Sequence, residues 1–212
     1  MRYSGALTDP PAPGMIKNKL LLCGICLLYV ALTQAQTKTH KQQPSLGIHF
    51  VFNDFATATL IRESSLSSVL NNDRFGKMRD MKQGLAISFG KGISETFDFY
   101  ATGAGSFLAY PMPDKPNVGS DNLLVELDAS IRGKMLSDRY FVVPYLQVGA
   151  GFSKYQGYWG AFIPAGIGLQ LNFFDEAFLQ VNSQYRIAIT ENTSYHFFHS
   201  IGLVGNIGKH SQ

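Results

Sequence analysis

The chain is poor in cysteine, in charge and in long apolar runs. Among 212 residues there are two cysteines, one tryptophan and 16% charged residues, against the roughly 25% charge usual in soluble domains. Both cysteines, Cys23 and Cys26, lie in one apolar run near the N-terminus, which excludes a disulfide scaffold. After that run no stretch approaches the roughly 18 consecutive apolar residues of a membrane helix. There is no basic run, and 18 basic residues stand against 15 acidic ones. Basic and aromatic residues are not interleaved, so a nucleic-acid surface is not expected. The glycine pairs Gly103/Gly105, Gly149/Gly151 and Gly166/Gly168 complete no phosphate-binding pattern and read as strand bends or close packing. Low charge with 21 glycines and 13% aromatics suits a β protein with a large apolar exterior.

Lys17 and Lys19 precede the apolar run 20–32, and the small residue Ala35 follows it. This reads as a cleavable signal peptide over 15–35. Residues 1–14, with Asp9, Pro10, Pro11 and Pro13, fit a signal poorly and read as an extension ahead of a start at Met15. Cys23 and Cys26 then sit in the segment to be removed, so their spacing carries no redox or metal role. Leu22 and Ile25 before them do not suit lipidation. The polar stretch 36–46 reads as a periplasmic lead-in, and 47–208 as one β-barrel.

What fills the barrel region is alternation. In 122–132, Leu123, Val125, Leu127, Ala129 and Ile131 take one parity, and Glu126, Asp128, Ser130 and Arg132 the other. Successive strand residues face opposite sides, so this is a strand with an apolar and a charged face. It is the fourth of eight such segments: 47–55, 84–92, 96–107, 122–134, 141–153, 160–173, 176–189 and 195–207. Pro144 and Pro164 fall within two of them, where a strand end or bulge is needed. The connections run long (56–83), tight (93–95), long (108–121) and tight (136–138), then short at 154–159, 174–175 and 190–194. That is the wiring of an all-β, eight-stranded antiparallel up-and-down transmembrane β-barrel, whose interior side chains fill. Tyr100, Tyr110, Tyr140, Phe141, Tyr155, Tyr158, Trp159, Phe173, Phe174 and Tyr195 fall near segment ends, as interfacial girdles do. Periodicity alone does not say which parity faces out. A soluble lipocalin-like barrel would bury the apolar one. The export signal, the missing disulfides and the wiring favour lipid outside.

With the charges inside, Glu126, Asp128, Arg132 and Arg186 share one lumen, with Asp98, His49, Gln180 and Gln184 near. Buried charges must be paired, so the first reading of Asp98, Glu126, Asp128, Arg132, Arg186 and Gln184 is a structural network. The second is a narrow ion path. A catalytic Glu126/Asp128 pair is a third, without an identifiable substrate pocket. His196 and His199 point to opposite faces of a strand, so no metal or cofactor site is expected. His196 at the outer rim, with Glu191 close by, is the candidate of a lipid-modifying enzyme reading. Asn192-Thr193-Ser194 is a glycosylation-type sequence read as a polar loop. In 56–83, Leu66, Val69 and Leu70 fall at helical spacing, for a short helix that caps the barrel mouth or faces a partner. That loop and 110–121 are where a protein partner is expected. The sequence fixes no oligomeric state.

Several strings carry a resemblance. They are Phe52-Asn53-Asp54-Phe55, Ser64-Ser65-Leu66-Ser67-Ser68-Val69-Leu70, Gly119-Ser120-Asp121-Asn122-Leu123-Leu124, Val143-Pro144-Tyr145-Leu146, Asn172-Phe173-Phe174-Asp175-Glu176-Ala177-Phe178 and Tyr195-His196-Phe197-Phe198-His199-Ser200-Ile201-Gly202. In these the chain resembles small outer-membrane β-barrel proteins of the Bacteroidota type, OmpA-like or porin-family barrels without the peptidoglycan-binding domain. The resemblance spans the chain after the signal. It implies a cell outer membrane protein in contact with outer-membrane lipid, non-enzymatic, with a structural or loop-mediated binding role. The alternatives are a small ion-conducting channel and an outer-membrane barrel enzyme acting on lipid.

Overall fold

A computed structural model describes residues 41–112, 121–174 and 176–207. The signal-peptide reading and most of the 110–121 segment fall outside those residues. The strands are β1 (Ser45–Asp54), β2 (Lys82–Gly92), β3 (Phe97–Leu108), β4 (Asn122–Lys134), β5 (Val142–Tyr155), β6 (Tyr158–Phe174), β7 (Ala177–Ala188) and β8 (His196–Asn206). Each pairs antiparallel with its chain neighbours, and β1 pairs with β8, so eight strands close into a barrel. Closure leaves no sheet edge with unpaired backbone groups.

The longer connections gather at one end, here called the outer end. After β1 come two short helices, α1 (Phe55–Glu63) and α2 (Leu66–Asn71), and a 3₁₀ turn over Met78–Asp80. Phe55, read from the sequence as the last residue of a strand, instead opens α1. The reason is Asp54, whose Oδ1 accepts the Thr57 N–H at 2.8 Å and caps the helix. Ser65 caps α2 in the same way, accepting from the Ser68 N–H at 3.2 Å. Val69 of α2 is buried, while Leu66 and Leu70 stay exposed. The β5–β6 connection closes as a turn at Gln156 and Gly157, with φ of 48° and 90°. Positive φ at both central residues matches the strand twist of a two-residue hairpin. Pro164 sits where the β5–β6 ladder lacks paired residues between Val148↔Ala165 and Gly151↔Phe162, so its missing N–H costs no bond on that side.

The side question is settled by exposure. Ile48 is 67% exposed, Phe107 75% and Leu203 61%, whereas Glu126 is 1% and Arg186 0% exposed. The apolar parity faces out and the charged parity faces in, the reverse of a lipocalin-like barrel. The aromatic girdle needs one correction. Tyr140, Phe141, Tyr158, Trp159 and Phe173 are exposed near strand ends, but Tyr100, Tyr110 and Tyr155 are buried inside. Their segment-end positions have the parity of the lumen, and parity decides.

Such a belt is stable against hydrocarbon rather than water. Replacing Ile48 by Arg is expected to lower the unfolding free energy in lipid vesicles by about 2–4 kcal/mol if the position lies near the bilayer midplane. Guanidinium titration of wild type and I48R checks this, and an unchanged midpoint would place water outside the wall.

Candidate functional site

The lumen holds the chemistry of this chain, and its charges fall into an outer and an inner group. In the outer group, β7 supplies Arg186 and β4 supplies Glu126 and Asp128. Arg186 Nη1 lies 2.6 Å from Glu126 Oε2, and Nη2 lies 3.2 Å from Asp128 Oδ2. Both carboxylates are two residues apart on one strand face, so a single guanidinium spans them. Its carbon stands 3.7 Å from the Phe198 ring centroid and 4.7 Å from that of Phe162. His196 Nε2 is 3.4 Å from Glu126 Oε1, and Nδ1 lies 3.0 Å from the Ser194 carbonyl.

The inner group is organised by Lys134. Its Nζ lies 3.0 Å from Asp98 Oδ2 and 2.5 Å from Asp138 Oδ2. Gln170 Nε2 donates to Asp138 Oδ1 at 3.2 Å. Arg132 stands apart from both sets of ion pairs. Its Nε donates to Gln147 Oε1 at 3.1 Å, and its guanidinium carbon lies 3.3 Å from the Tyr100 centroid and 4.6 Å from that of Tyr145. The Tyr100 hydroxyl accepts from Gln42 at 2.6 Å and Gln180 at 2.9 Å. Between the groups, His49 Nε2 meets Ser88 Oγ at 2.7 Å and Asn53 donates to Ser106 Oγ at 2.9 Å.

All six residues expected in the network are buried in the lumen, but they do not act as one set. Arg132 forms no ion pair with Glu126 or Asp128 among the described residues, although its charge acts on Asp128 and Asp98 from a distance; it stacks between tyrosines. Gln184 is buried near Arg186 on β7, and its Oε1 has no hydrogen-bond partner among the described residues. Lys134 was missed, although its parity on β4 was the signal that would have found it. Among the described residues, the lumen then buries Asp98, Glu126 and Asp128 against Arg132, Lys134 and Arg186, with Asp138 as a further, partly exposed carboxylate on Lys134 at the inner end. His196 faces Glu126 rather than Glu191. His199 faces outward, stacked on Phe197 at 5.8 Å and 4°. Among the described residues no cluster of three or more His, Cys, Asp or Glu is placed to hold a metal ion.

Both ends are stoppered. At the outer end Leu108, Tyr110, Met112, Leu124 and Tyr155 form a buried cluster with Phe55 packed against it. Phe55 meets Tyr110 edge-on at 5.6 Å and His196 at 4.6 Å. The Tyr155 hydroxyl donates to the Leu108 carbonyl at 3.0 Å, and the Tyr110 hydroxyl accepts the Ser194 N–H at 2.7 Å. The cap of the mouth is thus Phe55 and the 110–112 segment rather than α2. At the inner end the lead-in itself enters the barrel. Gln42 is buried against Tyr100, its carbonyl accepts the Gly92 N–H at 3.1 Å, and the Pro44 carbonyl accepts the Ile207 N–H at 2.7 Å.

No protein-family model matches this chain, and no curated protein matches it. Among solved structures it is similar to the N-terminal β-barrel domain of Pseudomonas aeruginosa OprF, with 9% identity, 78% of this chain and 98% of that chain covered, and a TM-score of 0.48. It is similar to Neisserial surface protein A, at 14% identity, 79% and 99% coverage and a TM-score of 0.46. A third is Ail, the attachment invasion locus protein of Yersinia pestis, at 11% identity, 80% and 98% coverage and 0.46. These likenesses assign no residue a role, and the architecture rests on the closed strand ladder.

Removing one member of a buried ion set leaves the others uncompensated. Arg186→Met is expected to cost about 3–5 kcal/mol of unfolding free energy. Adding Glu126→Gln and Asp128→Asn to it should restore most of that loss. Denaturant titration of the single and triple variants reads both; a triple variant no better than the single would refute the pairing.

Proposed function

We propose that the chain is an integral barrel of the cell outer membrane, exported by the signal at 15–35, that forms a sealed, non-enzymatic wall and presents its outer loops for binding. The observation that carries this reading is the combination of an outward apolar belt with a lumen filled by paired charges and stoppered at both ends. Bilayer-crossing strands need about 9–11 tilted residues, and the strands here run from 10 to 17. A closed barrel is one of the two architectures that satisfy every backbone group in hydrocarbon. The family-like strings support a place among small OmpA-like barrels of the Bacteroidota type.

The channel alternative needs a continuous water path. Such a path would have to pass the Tyr110–Tyr155 cluster, the Arg186 ion set and the Gln42–Tyr100 contact in turn. The loop-binding part of the reading rests on the 56–83 connection, where Leu66, Leu70 and Met78 are exposed. Apolar groups shown at a water-facing end mark contact surfaces more often than wall positions do.

Two measurements test the proposal. The chain should recover in the outer-membrane fraction and migrate faster on gels before boiling than after, and a soluble periplasmic product would sink it. Purified protein should leave a planar bilayer silent, and resolved conductance steps in wild type would overturn the sealed wall in favour of the channel.

A further inference from the structure

We propose that the outward face of β7 and β8, together with the end of α1 above it, binds a phosphorylated acyl lipid of the outer leaflet. The proposal rests on the membrane-spanning reading. Along one column of this face, from the outer end inward, the groups change in a fixed order. Exposed Arg62, in the last turn of α1, lays its guanidinium 4.1 Å from the centroid of Tyr195, and among the described residues it makes no ion pair. Below it an aromatic shelf follows: Tyr195 lies 6.1 Å from Tyr185, and Tyr185 lies 4.9 Å from Phe197. Phe75 from the β1–β2 connection closes the shelf, 5.5 Å from Phe197.

Beneath the shelf the apolar belt is interrupted. Ser183 and His199 are direct cross-strand partners, and both take the outward parity. Among the described residues His199 Nε2 is shielded and has no hydrogen-bond partner, an unmet requirement on a surface that faces hydrocarbon. Ser183 and His199 line a groove of about 570 Å³ that continues over Leu146, Ile167, Val181 and Ile201.

Charge, aromatic rings, hydrogen-bonding groups and an apolar groove therefore succeed one another along the strands. A glycerophospholipid has the same order: phosphate, glycerol esters, acyl chain. Arg62 offers the phosphate a charged fork, the rings sit where aromatics favour the headgroup level, and the ester oxygens fall at Ser183 and at His199, whose imidazole turns on binding to bring its shielded Nε2 to them. A soluble phosphate ester would fill only the top, and a neutral diacylglycerol would leave Arg62 unused.

The test uses the full chain folded in detergent micelles, with native mass spectrometry reading the lipid retained. Phosphatidylglycerol should be kept as one bound molecule, with diacylglycerol and glycerol phosphate at background. Arg62→Gln should weaken retention about tenfold, the scale of one lost charge-assisted hydrogen bond. His199→Phe, which keeps the aromatic stack, should weaken it several-fold by the same loss of a hydrogen bond. Leu123→Ala, an outward change on β4, should leave it unchanged. Equal retention by wild type and the R62Q/H199F double variant, or diacylglycerol held as well as phosphatidylglycerol, would overturn the proposal. The gel shift of the same samples separates the two readings: a shifted band without lipid defeats this inference alone, and no shifted band defeats the membrane barrel as well.

Discussion

Arg186 is the interaction on which the inside of the barrel depends. With the apolar parity facing out, the polar parity of every strand is driven inward, and an eight-stranded barrel is only wide enough for side chains to fill it. Charges placed there lose most of their water and must find one another. Arg186 meets two carboxylates with its nitrogen edge, Glu126 and Asp128, and two rings with its faces, Phe162 and Phe198. A planar guanidinium is suited to that double use, which an ammonium is not. Arg132 repeats the arrangement at the inner level, with Gln147 at its edge and Tyr100 and Tyr145 over its faces. Lys134, a point charge, instead takes the site where Asp98 and Asp138 approach from two directions.

Those stacked levels need room that a narrow barrel does not have, and glycine supplies it. A methyl group at Gly90 would press into the Tyr100 ring, and one at Gly168 would collide with Tyr145. Both glycines face inward on strands opposite a ring. These two glycines, and Gly151 against the Phe162 ring, are therefore tied to the arginine sandwiches rather than to turns. An extra methyl in such a packed site costs about 1–3 kcal/mol elsewhere in proteins, and here it would also unseat the group that covers Arg132.

The wall was legible in the sequence because the side-chain period of a strand is two and the outer parity is nearly free of polar residues. Each expected segment overlaps a strand, and the alternation within 122–132 puts Glu126 and Asp128 on one face, which the export signal and wiring, not the period, turn inward. The partners were not legible. Alternation gives the side of a residue but not its height, and height is set by strand tilt and stagger. Arg132 and Glu126 share a parity on β4, yet Glu126 lies level with Arg186 and Arg132 lies level with Tyr100. The buried tyrosines mark a related limit: nearness to a segment end does not override the lumen parity of Tyr100 and Tyr155. Gln42 carried no signal at all, since the lead-in has no alternation to read.

The two histidines near the C-terminus divide the two sides of this wall. His196 lies beneath Phe55, its nitrogens facing the Ser194 carbonyl and Glu126. A lipid reaching it from the bilayer would have to cross the strand ladder, so the lipid-enzyme reading loses its candidate residue. His199, three positions on, has the opposite parity and stands on the outer surface with Phe197 and Ser183. A histidine there is costly unless something meets its ring nitrogen, and none of the described residues hydrogen-bonds Nε2. The inward imidazole lies among lumen groups, while the outward one has the charge of Asp54 near it and no hydrogen bond at Nε2 among the described residues. The opposite parities of His196 and His199 thus place one imidazole among the lumen charges and the other beside Ser183 on the outer face of β7 and β8.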